Sequence, residues 1–173
     1  MPIGRLDYAK SEIKMAYSSE IEETYRLHAC GKEPWTVEWI EGMRQGDVLW
    51  DIGANVGSYS LLAGALGHTV VAVEPGYASY AGLCQNIALN DLGGRVYPLC
   101  VALGAETGLD FLFYQSLLPG GAMHSVGVGP AKYVFAQGML TARLDDLAAF
   151  ARLPSPTHVK LDVDGHEVAV LSG

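Results

Sequence analysis

Between Val48 and Val101 short apolar runs alternate with helix-length segments, and a glycine or an asparagine marks most of the junctions. Val48–Ile52, Thr69–Val73 and Arg95–Val101 read as strands. Val56–Leu66 reads as a helix stopped near Gly67, and Tyr77–Leu89 as a helix closed by Asn90 and the Gly93-Gly94 pair. Strands alternating with helices of this length predict a parallel sheet covered on both faces. The expected fold is α/β, with a doubly wound, mostly parallel sheet.

The flanks are less regular. Residues 1–45 predict an N-terminal helical segment, with one helix around Ser18 to Leu27. A second begins at Pro34, where Trp35, Trp39, Ile40 and Met43 share a face and Gly46 acts as the stop. Residues 46–173 form the main domain. In it, GLDFLFYQS predicts a strand with no helix after it, and the glycine-rich segment 116–131 a loop. Tyr133–Thr141 follows as a strand and Leu144–Phe150 as a short helix. THVKLDVDG is the last strand, and Glu167–Leu171 opens a helix.

Val159–Val163 reads as an inner strand, yet little sequence follows to cover its far side. An open apolar edge is a liability. The chain is therefore expected to be truncated at its C-terminus, or to pair with a second copy through this strand.

Composition narrows the partners. The 173 residues carry a formal charge of −8, which disfavours broad contact with nucleic-acid phosphates. Half of the residues are hydrophobic, a globular composition, but no apolar run is long enough to span a membrane. Cys30, Cys84 and Cys100 are odd in number and widely spaced, as expected of reduced thiols in a cytoplasmic protein.

The turn in VLWDIGANVG brings backbone N–H groups towards a ligand. The dinucleotide fingerprint is G-x-G-x-x-G. Here Asp51, Gly53, Asn55 and Gly57 stand at alternate positions, and Asn55 replaces a glycine. A carboxylate at Asp51 would repel a diphosphate and welcome a cation. S-adenosylmethionine (SAM) has a sulfonium, an ammonium and no phosphate, so the turn suits SAM better than NAD. Glu74 ends the second strand, 23 residues further on, where an acid accepts both hydroxyls of an adenosine ribose. Ala102 and Leu103, after the third strand, would flank the adenine.

In THVKLDVDGHE, Lys160, Asp162 and Asp164 alternate with apolar residues. Such a polar trio marks either a strand end at the ligand crevice or an exposed edge. Asp162 could contact the methionine ammonium, orient an acceptor hydroxyl or take its proton, and His166 is the second candidate base. Lys160 could pair with an acid and hold it ionised. The acids and His166 are not at an established metal-ligand spacing, so no metal is expected. His124, in the glycine-rich loop, is a candidate lid residue.

DIGANVGSYSLLA, VAVEP, NIALND, VALG, RLDDL and VKLDVDGHEVAVLSG occur here in the order in which they stand in FkbM-type methyltransferases. Over residues 48–173 the chain resembles that family, with Asp164 where its final motif usually has a glutamate. The resemblance implies a Rossmann-like class I SAM methyltransferase fold and O-methylation of a hydroxyl on a sugar or a secondary-metabolite-type small molecule. It implies the cofactor at Asp51, Gly53, Asn55, Gly57 and Glu74, and the crevice at Asp162. An NAD-dependent oxidoreductase and a non-catalytic adenosyl-binding module stay open as alternatives.

Overall fold

The computed structural model describes residues 1–121, 124–127, 129–149 and 152–173. Its central sheet has the strand order β10-β3-β4-β5, all parallel. β3 is Val48–Ile52, β4 Thr69–Val73, β5 Val96–Leu99 and β10 His158–Leu161. Between these strands run α3 (Ser58–Ala65) and α4 (Tyr77–Leu89).

Alternation along the strands separates two cores. Leu49, Val70 and Ala72 face a core shared with Val56, Leu61, Leu62, Leu83 and Ile87. Trp50, Ile52, Val71 and Val73 face the other, with Leu103, Ala142, Leu147 and Val170. Both faces of β3 and β4 are therefore covered, and this is the α/β architecture that the alternating pattern predicts.

The first 45 residues are not helical throughout. β1 (Ile3–Arg5) and β2 (Lys14–Ala16) pair antiparallel. A π-helical turn at Glu22–Arg26 replaces the longer helix expected there, and α1 (Ala29–Lys32) and α2 (Pro34–Glu41) follow. Strands of three residues are too short to show a period. Their place is set by tertiary hydrogen bonds: Asn86 Oδ1 of α4 accepts from Ala16 N at 2.8 Å, and Asn90 Oδ1 from Lys14 N at 2.9 Å. Ile13, Met15, Leu27 and Ile40 then join the first core.

Two expectations for the sheet are corrected. The third strand stops at Leu99 instead of continuing to Val101. β5 lies at the sheet edge, where Pro98 is tolerated although it has no N–H to donate. Ala102–Leu103 (β6) instead pair parallel with β9 (Phe135–Ala142) in a second sheet, ordered β6-β9-β7-β8. In it β7 (Gly108–Tyr114) is antiparallel to both β9 and β8 (Ser125–Val126).

The last strand, expected inside the sheet, is its other edge: among the described residues β10 pairs only with β3, and Val159 is 42% exposed. Two short helices complete the chain, α5 (Leu144–Ala149) and α6 (Glu167–Leu171). Phe150, expected to end α5, lies outside the described residues, as do positions 122, 123 and 128 of the glycine-rich segment.

Just past the ends of β3 and β10 the two segments are in close contact. Gly53 has φ +82°, and a Cβ on it would run into the carbonyl oxygen of Asp162. Gly53→Ala should cost about 3 kcal/mol or more, from left-handed strain and overpacking together. Urea unfolding checks this: the midpoint of the variant should fall clearly below that of the wild type.

Candidate active site

At the carboxyl ends of β3, β4 and β10 lies a cleft of about 500 Å³. Open α/β sheets bind ligands in this position. Its floor is the turn after β3. Asn55 is held left-handed at φ +51°, which Asn tolerates better than most residues. Its backbone N–H donates to Glu74 Oε2 at 2.9 Å, and its side-chain Nδ2 to the carbonyl of Gly121 at 2.9 Å. The residue that breaks the glycine fingerprint thus ties the turn to the roof of the cleft.

Glu74 is the buried carboxylate of the cleft. It accepts from Asn55 N and, at 2.8 Å, from Gly76 N. Desolvation nevertheless dominates and pushes its pKa from 4.5 to about 7, against the lowering effect of these N–H groups and of Arg26. Ala102, Leu103, Asp162, Asp164 and His166 also line the cleft. His166 stands next to Gly104, at which a Cβ would lie 3.6 Å from its Nε2.

Seven of the nine site residues expected from sequence line this cleft: Gly53, Asn55, Glu74, Ala102, Leu103, Asp162 and His166. Asp51 and Gly57 do not. Gly57 (φ +98°) packs α3 against Leu83 of α4. Asp51 is 1% exposed and is turned to the α3 side of the sheet. There its Oδ2 accepts from Ser60 Oγ at 2.6 Å, and its Oδ1 lies 3.3 Å from Lys160 Nζ. The charge expected to choose between SAM and a dinucleotide is neutralised inside the protein. Lys160 is its register partner on β10, so both side chains leave the sheet on one face.

Lys160 also lies 3.6 Å from Asp162 Oδ2, and its ammonium sits over the Tyr59 ring, 5.2 Å from the centroid. Burial alone would lower its pKa. The carboxylates of Asp51 and Asp162, with Glu33, outweigh this and raise it, so Lys160 stays charged.

Several lining residues were not legible in sequence. Ile21, Tyr25, Arg26, Lys32 and Glu33 reach the cleft from the N-terminal segment. Arg26 donates from Nε and Nη2 to the carbonyl of Gly120, at 3.1 and 2.7 Å, and Ser19 Oγ donates to the carbonyl of Pro119 at 2.7 Å. The one local signal was Ser19-x-x-Glu22, a capping box in which Ser19 and Glu22 exchange side-chain-to-backbone bonds at 3.1 Å. It marks a helical turn and says nothing of a cleft.

His124 lines the cleft and packs at a tilt against Tyr114, with ring centroids 4.5 Å apart. Burial lowers its pKa against the pull of Asp164. Among the described residues no cluster of three or more His, Cys, Asp or Glu could hold a metal ion, and no helix is long and apolar enough to cross a membrane.

The pKa of Glu74 makes a stability prediction. Because its folded value lies above its ordinary one, stability is lost as the pH rises from the ordinary value to the folded one, and the loss is complete above it. In the ligand-free protein Glu74→Gln should therefore stabilise by roughly 2–3 kcal/mol at pH 8. The gain should shrink as pH falls through 7 and vanish near 4.5. Urea titrations at several pH values would show it.

Residues 51–173 match the methyltransferase FkbM domain family, and the chain belongs to it. Hexuronic acid methyltransferase AglP of Haloferax volcanii is 29% identical over 157 residues, covering 88% of this chain and 61% of that one. The tRNA (guanine(37)-N(1))-methyltransferase of Aedes aegypti is 36% identical over 73 residues, 42% of this chain and 12% of its own. This chain thus spans about three fifths of the first relative and about an eighth of the second. A SAM-dependent methyltransferase of Agrobacterium tumefaciens superposes with a TM-score of 0.44 at 16% identity, over 57% of this chain and 32% of that one.

Proposed function

We propose that this member of the FkbM methyltransferase domain family binds SAM in the cleft and methylates a hydroxyl oxygen of a small molecule, with residues 46–173 as the cofactor-binding unit and residues 1–45 as one wall. The observation that carries this reading is Glu74. A buried carboxylate at the end of the second strand, beside a glycine turn, suits the two hydroxyls of an adenosine ribose.

Bound SAM would supply a methyl carbon already activated by its sulfonium and open to in-line attack by an acceptor oxygen, with the C–S electron pair leaving on sulfur. The residues of the chain then have to align and to move one proton. Asp162, whose side chain is 60% exposed on the cleft side, is the first candidate to take the hydroxyl proton. His166 is the second. Alignment of the two reactants should carry much of the rate. The acceptor is a sugar or another small molecule with a free hydroxyl. Because AglP is a hexuronic acid methyltransferase, a hexuronic acid glycoside is the first acceptor to test.

Titration calorimetry with S-adenosylhomocysteine (SAH) and NAD tests the cofactor. SAH should saturate the cleft, with an affinity that weakens as Glu74 is protonated below pH 7. Saturation by NAD with no heat from SAH would reverse the reading. With an acceptor in hand, Asp162→Asn should lower turnover by about a hundredfold or more and change SAH affinity less than about threefold. Unchanged turnover would remove Asp162 from that role.

A further inference from the structure

A buried ammonium shared by two carboxylates is more than a strand needs to stay folded. Asp51 alone would neutralise Lys160, since they lie 3.3 Å apart, with Asp51 1% and Lys160 11% exposed. Asp162, 3.6 Å from the same nitrogen, adds a second negative charge on the cleft side. The trio carries a net charge of −1, held on the only member that lines the cleft. The backbone of Asp162 is fixed as well: its N–H donates to the carbonyl of Ile52 at 3.0 Å, and its carbonyl lies against Gly53. What the backbone does not fix is the side-chain rotamer, and Lys160 is the group that holds it.

We propose that Lys160 is a positioning residue that anchors Asp162 through Asp51, so that the Asp162 carboxylate faces the ligand sulfur and makes the cleft prefer the cationic sulfonium of SAM to the neutral sulfur of SAH. This rests on the cofactor reading above and goes beyond it: the trio favours the charged donor and eases exchange of the neutral product. Asp164, Glu33, Arg26, Lys32 and His166 also line the cleft. Their charges are the same in every variant below, so differences between variants report the trio.

The measurement is the ratio of SAM to SAH affinity by calorimetry, with thermal unfolding of the same samples. Wild type should prefer SAM. Asp162→Asn should lose about three- to tenfold of that preference, as expected for one charge near the ligand in a half-wet cleft. Lys160→Met strands Asp51 without a countercharge, and its Tm should fall on the order of 10 °C. The double variant Asp51→Asn/Lys160→Met removes both buried charges and should recover most of that Tm. It should nevertheless lose the SAM preference as fully as Asp162→Asn does, although Asp162 is intact, whereas Lys160→Arg should keep it. A merely structural lysine would restore Tm and preference together in the double variant, and that result overturns the proposal. If wild type binds both ligands equally, the proposal also falls while the cofactor reading stands. If wild type binds neither, the cofactor reading itself falls.

Discussion

The buried pair of Asp51 and Lys160 joins the first strand of the central sheet to the last. A charge pair at this depth is costly to desolvate and is tolerated only with good geometry and further hydrogen bonds. Here Ser60 satisfies the second carboxylate oxygen and the Tyr59 ring covers the ammonium. The pair requires β10 to sit in register beside β3, and that register carries Asp162 to Gly53 at the mouth of the cleft. Moving β10 by one residue would turn Lys160 to the opposite face and leave Asp51 alone.

Charge is therefore divided between two layers. Beneath the turn, Asp51 is buried and paired with Lys160. Above it, Glu74 supplies a carboxylate poised near neutrality, and Asp162 supplies one that faces open space. Asn55 connects the layers. Its backbone binds Glu74, its side chain binds Gly121, and Arg26 and Ser19 hold the two preceding carbonyls. The roof over the cleft is thus hung from the N-terminal segment and from the glycine turn after β3 at once.

Much of this was legible from pattern. The strands Val48–Ile52 and Thr69–Val73 and the helix Tyr77–Leu89 have the predicted bounds, because apolar period and glycine or asparagine stops agree there. Glu74 and Asp162 line the cleft as expected from sequence, because a strand end in this fold is a defined place. The rest was set by tertiary context. Asp51 was assigned to the ligand because a strand-end acid has two sides to turn to, and only its register with Lys160 decides which. β1 and β2 have no period of their own and are held by Asn86 and Asn90. Arg26 and Glu33 enter the cleft through packing of the N-terminal segment, which no local motif records.

The most direct test is a crystal structure with SAH bound. The account predicts both ribose hydroxyls within hydrogen-bond distance of the Glu74 carboxylate, the adenine beside Ala102 and Leu103, the sulfur on the Asp162 side, and Asp51 still paired with Lys160 out of reach. A nucleoside bound away from Glu74, or one contacted directly by Asp51, would contradict it.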